Sequence, residues 1–318
     1  MPLHSEVKEF INTVVKTGDT FNWNGLAKGL PLPDGAASLA TTIPVEGGDI
    51  PATVFDVAGE QLHEKSVLIY IPGGGFCPYL KDAHNHACAT MAKTADCRVI
   101  MIEPHTVKAP GQVADACSAI KHIMKNLVTF NIKPNCIALG GDSSGANLAL
   151  SAALDLSNEG ISLQHLVLIS GTYDLTMNTT NEQEETYKSQ YKDFESKDIL
   201  SEEMFDAMFE AYLPEGWGKN DPRVSPYFRE NDIRNLRDSE TSVSLLVSEF
   251  DGVRHQTHQL ADRLNACGVR YTLEVVPGQT HSGLLNRRMV PTAPNPAEYA
   301  GKAVEEVLSP IEYSRQWD

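Results

Sequence analysis

Short, nearly continuous runs of apolar residues recur along the chain from about residue 65 onwards. Six of these runs are rich in leucine and β-branched residues, and they span 66–72, 98–104, 136–141, 165–171, 242–250 and 271–278. Strands buried on both faces of a parallel sheet have this appearance, because neither face meets water. Segments with apolar residues at helical spacing lie between the runs, at 111–127, 144–160 and 255–268. This alternation predicts an α/β fold with a doubly wound, mostly parallel sheet.

Two other parts of the chain have a different pattern. Near the N-terminus, Val7, Phe10 and Ile11 recur at helical spacing and predict a helix. Residues 49–59 alternate between apolar and polar, as a half-buried strand does. Residues 175–235 contain no strand-like run and are polar and acidic, with helical character in their second half. We therefore predict that this segment is an insertion over one end of the sheet.

The length of the chain allows one large domain. A protein of 318 residues can bury a large core, and α/β folds of this size often form a single unit. We predict one domain over residues 1–318, in which a helical cap covers an α/β core. The predicted cap comprises about 1–45 and 175–235, and the predicted core comprises about 46–174 and 236–318.

Composition and charge exclude several classes of protein. Hydrophobic residues make up 42% of the chain and charged residues 21%, so disorder and coiled coil are excluded for the chain as a whole. The formal net charge is −16. An acidic surface repels phosphate backbones and anionic lipid, so we expect neither nucleic-acid binding nor stable docking on a membrane surface.

The six cysteines form no C-x-x-C pair, and most lie in apolar runs, so we expect free thiols rather than disulfides or a zinc site. His84 and His86 would diverge on a predicted helix and are expected at the surface. We expect neither a metal nor a cofactor. The N-terminus lacks the basic start and apolar stretch of a signal peptide, and no run of about 18 apolar residues occurs. These features predict a cytoplasmic protein without a transmembrane segment.

The clearest chemical motif is LGGDSSGAN at 139–147, which contains G-x-S-x-G with Ser143 between Gly141 and Gly145. It directly follows an apolar run and opens a helical segment of small residues. This is the strand–turn–helix setting of a nucleophile elbow, where a side chain at either glycine would collide with the adjacent strand or helix. The alternative is an ordinary glycine-rich turn. We expect Ser143 to be a nucleophile.

A serine hydroxyl is a weak nucleophile at neutral pH and needs a general base. His281 lies in PGQTHSGLL, just past the last apolar run, in a loop at the carboxyl end of a strand. His255 and His258 lie on a predicted helix with charged neighbours, and His165 opens a strand at the opposite edge. We therefore predict His281 as the base.

The base in turn needs an acid that orients it and stabilises its charged form. Asp251 closes the apolar run 242–250, and Asp174 follows the run 165–171. Both lie at carboxyl ends of strands, and helix capping is the alternative role for either. Asp251 directly closes its run, and this position favours Asp251 over Asp174 as the acid.

The third requirement is a set of N–H donors for the oxyanion of the transition state. IPGGGF at 71–76 ends a predicted strand with three consecutive glycines, whose amides can point into a cavity without a clash from a Cβ atom. The N–H of Ser144, directly after the proposed nucleophile, is a second donor. A flexible loop or a phosphate cradle is the alternative, but no G-K-[ST] follows, so a P-loop is not supported.

Together these motifs resemble those of the hormone-sensitive-lipase-like group of α/β-hydrolase carboxylesterases. GDSSGAN matches the group's G-D-S-A-G-G-N elbow, IPGGGF is similar to its H-G-G-G-F oxyanion loop, and residues 248–269 resemble its acid-bearing stretch. PLHSEVKEFI resembles its amino-terminal cap segment, and DPRVSPYF resembles the segment after its cap, so the resemblance covers nearly the whole chain. It implies the α/β-hydrolase fold. It also implies a nucleophile, acid and base at Ser143, Asp251 and His281, and oxyanion donors at Gly74, Gly75 and Ser144.

Several positions depart from the group's pattern. Pro72 stands where the oxyanion motif has histidine, and Ala146 replaces the last glycine of the elbow. Gly252 follows the acid in place of proline, and His255 replaces the second aspartate of the acid-bearing stretch. The group's Y-R-L-A-P-E stretch is barely visible near 101–106. The chain is therefore identified as a distant member.

The resemblance implies a serine carboxylesterase that hydrolyses short- to medium-chain acyl esters through an acyl-enzyme intermediate. Its partner would be a small-molecule ester substrate. A homodimer is possible, and the sequence does not decide the oligomeric state. Two alternatives remain. The first is a non-catalytic ligand-binding protein on a hydrolase scaffold, which Pro72 keeps open. The second is amide hydrolysis or acyl transfer by the same three residues.

Overall fold

A computed structural model of the protein describes residues 3–16, 29–77, 81–178 and 202–308. Within these ranges eight strands form one sheet, in the order β1-β2-β4-β3-β5-β6-β7-β8. The strands are β1 (Ala36–Val45), β2 (Gly48–Val57), β3 (Lys65–Ile71), β4 (Arg98–Ile102), β5 (Ile132–Asp142), β6 (His165–Ile169), β7 (Ser242–Phe250) and β8 (Tyr271–Thr280). Strand β2 is antiparallel to both of its neighbours, and all other pairs are parallel. All six predicted runs are strands, and the doubly wound, mostly parallel sheet is confirmed.

Helices cover both faces of the sheet. They are α1 (Ser5–Lys16), α2 (Lys81–Thr94), α3 (Gly111–Lys125), α4 (Ser144–Asn158), α5 (Glu202–Tyr212), α6 (Glu230–Asp238), α7 (Arg254–Cys267) and α8 (Pro296–Leu308). Helices α3, α4, α6 and α7 pack with Ile69 and Ile71 of β3 in one core, whereas α2 and α8 pack with Leu68 and Tyr70 in the other. Successive residues of β3 therefore point to opposite faces, and both faces are dry, which explains the continuous apolar runs. No helix in these ranges combines the length and the apolar character needed to cross a membrane.

The predicted cap boundary is wrong at residues 36–45. These residues form β1, an edge strand that pairs with β2 and places Ile43 opposite Ile50. An edge strand needs few apolar residues because much of it faces water, and Leu39 of β1 is 68% exposed. The strand therefore gives no apolar run in the sequence.

The insertion is also shorter than predicted at its carboxyl end. Helix α6 packs against α4 and α7 and buries Ile233 and Leu236, so residues 230–235 belong to the helical layer of the core. Residues 179–201, which include the acidic run 182–185, lie outside the described ranges. The remainder of the predicted cap stays a prediction.

A buried histidine joins β6 to β7, far from the carboxyl ends of the strands. The Nδ1 atom of His165 lies 2.8 Å from Ser242 Oγ, and its Nε2 atom lies 2.9 Å from Ser244 Oγ. Burial lowers the pKa of His165 to about 4, because the charged imidazolium is poorly solvated there. His165 is therefore a neutral structural residue, in agreement with its rejection as a catalytic base.

We expect His165 to make the folded state sensitive to acid. Its pKa is lower in the folded protein than in the unfolded chain, so its contribution to stability is complete above about pH 6.5 and is lost as the pH falls towards 4. The loss amounts to about 3 kcal/mol at most. Urea unfolding of the wild type and of His165→Gln at pH 7.5 and pH 5 measures it. Parallel pH dependences in the two proteins would contradict this assignment.

Candidate active site

The sharp turn between β5 and α4 presents Ser143 at the carboxyl edge of the sheet. Ser143 has φ 52° and ψ −122°, a conformation that costs a non-glycine residue about 1 to 3 kcal/mol. Its N–H donates to the Ile169 carbonyl at 2.9 Å, and its own carbonyl accepts from the N–H of Ala146 at 3.2 Å. These bonds to the neighbouring strand and to the helix hold the serine in its strained geometry.

The glycines of the motif are required by close approach. A Cβ atom on Gly141 would lie 2.5 Å from the Gly145 carbonyl oxygen, and one on Gly145 would lie 2.2 Å from the Ile71 carbonyl oxygen. Both distances are far below van der Waals contact. The collision expected from the sequence is therefore present, and the turn has the tight backbone geometry predicted for a nucleophile elbow.

The structure brings Ser143, His281 and Asp251 together in one hydrogen-bonded chain. The Nε2 atom of His281 lies 3.0 Å from Ser143 Oγ. On the other side of the ring, Nδ1 lies 2.9 Å and 3.1 Å from the two carboxylate oxygens of Asp251. Such an arrangement can accept the serine proton at Nε2 while the carboxylate stabilises the imidazolium that forms.

Burial and charge act against each other in this pair. Desolvation alone would lower the pKa of His281, but the adjacent Asp251 carboxylate outweighs it and raises that pKa above its ordinary value. Desolvation likewise opposes ionisation of Asp251, yet the charge and hydrogen bond of His281, helped by bonds from Ser170 and the Val253 N–H, lower the pKa of the carboxyl. Asp251 is therefore an ionised carboxylate, and it increases the proton affinity of the neighbouring His281 imidazole.

Asp174, the alternative candidate for the acid, binds Thr176. Its Oδ1 atom accepts from the Thr176 N–H at 2.8 Å and from the Thr176 hydroxyl at 2.7 Å, which closes a local turn after β6. Asp174 thus stabilises a turn and, within the described residues, does not have the helix-capping role considered for it, whereas Asp251 contacts His281.

The glycine loop after β3 passes directly over the elbow, and its amides differ in their partners. The Gly73 N–H donates to Asp142 Oδ1 at 2.9 Å, and the Gly74 N–H donates to Ser144 Oγ at 3.2 Å. The N–H groups of Gly75 and Ser144 bind no acceptor within the described residues. Two of the three predicted oxyanion donors are thus available, and the third is engaged by the hydroxyl of Ser144.

A buried network beneath the loop was missed in the sequence. The carboxylate of Asp142 accepts from the Tyr70 hydroxyl at 2.8 Å as well as from the Gly73 N–H, and His84 Nε2 lies 3.3 Å from its other oxygen. Burial alone would raise the pKa of Asp142, but His84 and the two hydrogen bonds hold it below its ordinary value. The aspartate in the GDSSGAN motif was the available signal, because a buried carboxylate beside the nucleophile needs partners.

The prediction that His84 lies at the surface is therefore wrong. His84 is fully buried on the inner face of α2, while His86 contacts the Pro31 carbonyl at 2.7 Å. The two rings do diverge as expected, but the helix turns the first of them towards Asp142.

We expect Asp142→Asn to lower the free energy of unfolding by about 3 kcal/mol, because it breaks a buried pair and leaves His84 without its carboxylate. Tyr70→Phe is the matched control, since it removes one hydrogen bond to the same carboxylate and should cost about 1 kcal/mol. Urea unfolding of both variants measures the difference. Equal losses would show that the charge of Asp142 is unimportant.

Comparison with known proteins identifies the family of the chain. A family model described as the alpha/beta hydrolase fold matches residues 68–285, which is more than half of the chain. The chain belongs to this family. The predicted α/β-hydrolase fold and the distant relationship to the hormone-sensitive-lipase-like group are thereby confirmed.

Relatives of this alpha/beta hydrolase are distant in sequence. An esterase of Acinetobacter venetianus is 29% identical over 187 residues, which cover 57% of this chain and 59% of the relative. An ethyl acetate hydrolase of Pseudomonas putida is 25% identical over 221 residues, which cover 68% of this chain and 65% of the relative. These matches thus span less than two thirds of each relative. The crystal structure of a thermostable esterase from Pseudomonas putida ECU1011 superposes with a TM-score of 0.83 at 19% identity, covering 97% of this chain and 98% of that one.

Proposed function

We propose that the protein is a serine carboxylesterase that hydrolyses short- to medium-chain acyl esters through an acyl-enzyme intermediate. The observation that carries the proposal is the chain of hydrogen bonds from Asp251 through His281 to Ser143. It lies beside the N–H groups of Gly75 and Ser144, which bind no acceptor in the described part of the chain. The names of the relatives, an esterase and an ethyl acetate hydrolase, support the same reaction class.

The proposed reaction begins with attack of Ser143 Oγ on the ester carbonyl carbon. His281 accepts the serine proton at Nε2 and passes it to the leaving alkoxide, so the alcohol departs and the acyl group remains on the serine. Water then attacks the acyl carbon while His281 accepts a proton from it, the bond from that carbon to Ser143 Oγ breaks, and His281 returns the proton to Oγ as the acid is released. The N–H groups of Gly75 and Ser144, joined by that of Gly74 once it leaves the Ser144 hydroxyl, would bind the oxyanion in both halves.

A cavity of about 310 Å³ adjoins the glycine loop and the elbow. Its lining combines apolar residues such as Ile71 and Leu148 with the polar groups of Lys81 and Glu103, and it includes Ser144 but neither Ser143 nor His281. The proposed preference for short- to medium-chain acyl groups therefore rests on the resemblance to the hormone-sensitive-lipase-like group, and a series of esters of increasing acyl length tests it.

The first test of the proposal is Ser143→Ala, which should reduce turnover of p-nitrophenyl butyrate by roughly 10⁴-fold or more because no nucleophile remains. Ser157→Ala, at the far end of α4, is the matched control and should retain full activity. A fluorophosphonate probe should label the wild type and the control, but not Ser143→Ala. An unlabelled wild type would favour the alternative of a non-catalytic binding protein.

The pH dependence of the rate is a second test. Catalysis needs neutral His281, whose pKa is raised by Asp251, so kcat/KM should rise with pH through a midpoint above about 6.5. Asp251→Asn should lower that midpoint and reduce kcat by roughly 10³- to 10⁴-fold. Asp174→Asn, at the neighbouring strand end, should leave the midpoint unchanged. A midpoint that moves with Asp174 and not with Asp251 would reverse the assignment of the acid.

The cap over the site and a cytoplasmic location are predicted from the sequence and remain predictions. The sequence leaves the oligomeric state open, with a homodimer as one possibility. Sedimentation equilibrium tests the assembly, and cell fractionation tests the location. A panel of p-nitrophenyl esters and anilides tests ester against amide preference, since the same three residues could serve both reactions.

A further inference from the structure

The carboxyl end of the glycine loop has an unusual backbone conformation. Phe76 has φ 63° although it carries a side chain, so this residue must be held in place by its surroundings. Two contacts do so. Gln112 Nε2 donates to the Phe76 carbonyl at 2.9 Å, and the Phe76 ring stacks on Tyr212 with a centroid separation of 3.9 Å and an interplanar angle of 6°.

Helix α5 covers the loop with one continuous face. A Cβ atom on Gly75 would lie 2.3 Å from Met208 Sδ, so this glycine touches the helix directly. One helical turn later Tyr212 stacks on Phe76, and between them Phe209 packs against the same ring at 6.5 Å. The last turn of α5 is itself fastened to the core, because the Tyr212 carbonyl accepts from the Ala109 N–H at 2.9 Å.

The elbow residues therefore hold the first glycines of the loop, and Gln112 and helix α5 hold its carboxyl end. Asp142 and Ser144 hold the amides of Gly73 and Gly74, but the Gly75 N–H binds no acceptor in the described part of the chain. The Gly75 N–H shares a peptide plane with the Gly74 carbonyl, which accepts from the Cys77 N–H at 3.2 Å. This bond closes a tight turn whose two central residues, Gly75 and Phe76, both have positive φ. Contacts that hold Phe76 in this conformation therefore hold the turn, and with it the direction of the Gly75 N–H.

We propose that the ring of Tyr212 is a positioning residue for the oxyanion hole, acting through its stack on Phe76. The inference rests on the proposed function, since it concerns how the Gly75 N–H is held towards the developing oxyanion. It makes α5 part of the catalytic apparatus in addition to a cover over the site.

The hydroxyl group of Tyr212 distinguishes the role of the ring from that of its polar end. Tyr212 is 1% exposed, and its hydroxyl is buried without a hydrogen-bond partner within the described residues. A buried hydroxyl without a partner contributes no favourable bond to stability. The aromatic stack is therefore the contact that Tyr212 supplies to the loop, and Tyr212→Phe preserves it.

The test compares Tyr212→Leu with Tyr212→Phe on p-nitrophenyl acetate. Removal of one aligned oxyanion donor costs about 10²- to 10³-fold in kcat, so a misaligned one should cost on the order of tenfold or more. We expect that loss in Tyr212→Leu, with KM changed less than about threefold because substrate binding is spared. Binding of a trifluoromethyl ketone, which forms a tetrahedral adduct with serine, should weaken by the same factor. Tyr212→Phe should match the wild type.

Two more variants separate positioning from general loss of structure. Phe205→Leu alters the same helix at a ring that packs on Phe209, and it should leave kcat intact. Phe76→Leu removes the stack from the loop side and replaces Tyr212→Leu if that variant does not fold. The double variant should be no slower than the slower single one, because both remove the same contact.

The outcomes are distinct. An unchanged kcat in Tyr212→Leu, an equal loss in Tyr212→Phe or Phe205→Leu, or additive losses in the double variant would overturn the inference alone. A wild type that neither hydrolyses esters nor reacts with a fluorophosphonate would overturn the proposed function and the inference with it.

Discussion

The close approach of the β5–α4 turn to the end of β3 is the constraint on which the rest of the site depends. Gly145 lies so near the Ile71 and Pro72 backbone that no side chain fits between them. Because the elbow sits directly beneath the loop that leaves β3, the residues flanking Ser143 can bind that loop. Asp142 takes the Gly73 amide and Ser144 takes the Gly74 amide. A single tight turn therefore presents the proposed nucleophile and also anchors the proposed oxyanion donors.

Two buried carboxylates near the elbow are each stabilised by a histidine. Asp142 and Asp251 are both buried, and an isolated buried carboxylate would take up a proton. His84 contacts the first and His281 the second, and both carboxyl groups keep a lowered pKa. His281 also contacts the hydroxyl of Ser143, whereas His84 contacts the carboxylate beneath the glycine loop, so we propose different roles for these chemically similar pairs. The Asp142 charge also contributes to raising the pKa of His281, which links the structural pair to the proposed catalytic one.

Sequence reasoning succeeded where burial imposes a pattern and failed where it does not. Strands β3, β4, β6 and β7 are buried along almost their whole length, so their apolar runs are continuous and the centre of the sheet could be predicted. Strand β8 lies at the other edge of the sheet, and its apolar run reflects the buried carboxyl half alone. Strand β1 is exposed at an edge and was placed in the cap, while His84 was assigned to the surface because a histidine on a polar helix usually lies there. Asp251 and Asp174 both end strands, so position alone only weakly favoured Asp251. The contacts with His281 and Thr176 distinguish them.

Pro72 replaces the histidine of the family's oxyanion motif, and this substitution is the reason for considering a non-catalytic binding protein. A histidine there would hold the loop through its side chain, whereas Pro72 offers neither an imidazole nor an N–H. In this chain the loop is held through its main chain instead: Gly73 and Gly74 donate to the elbow, and Phe76 is fixed by Gln112 and the Tyr212 ring. Such anchors are independent of the residue at position 72. The loss of the histidine therefore removes one way of ordering the loop while others remain, and it is weak support for a loss of catalysis.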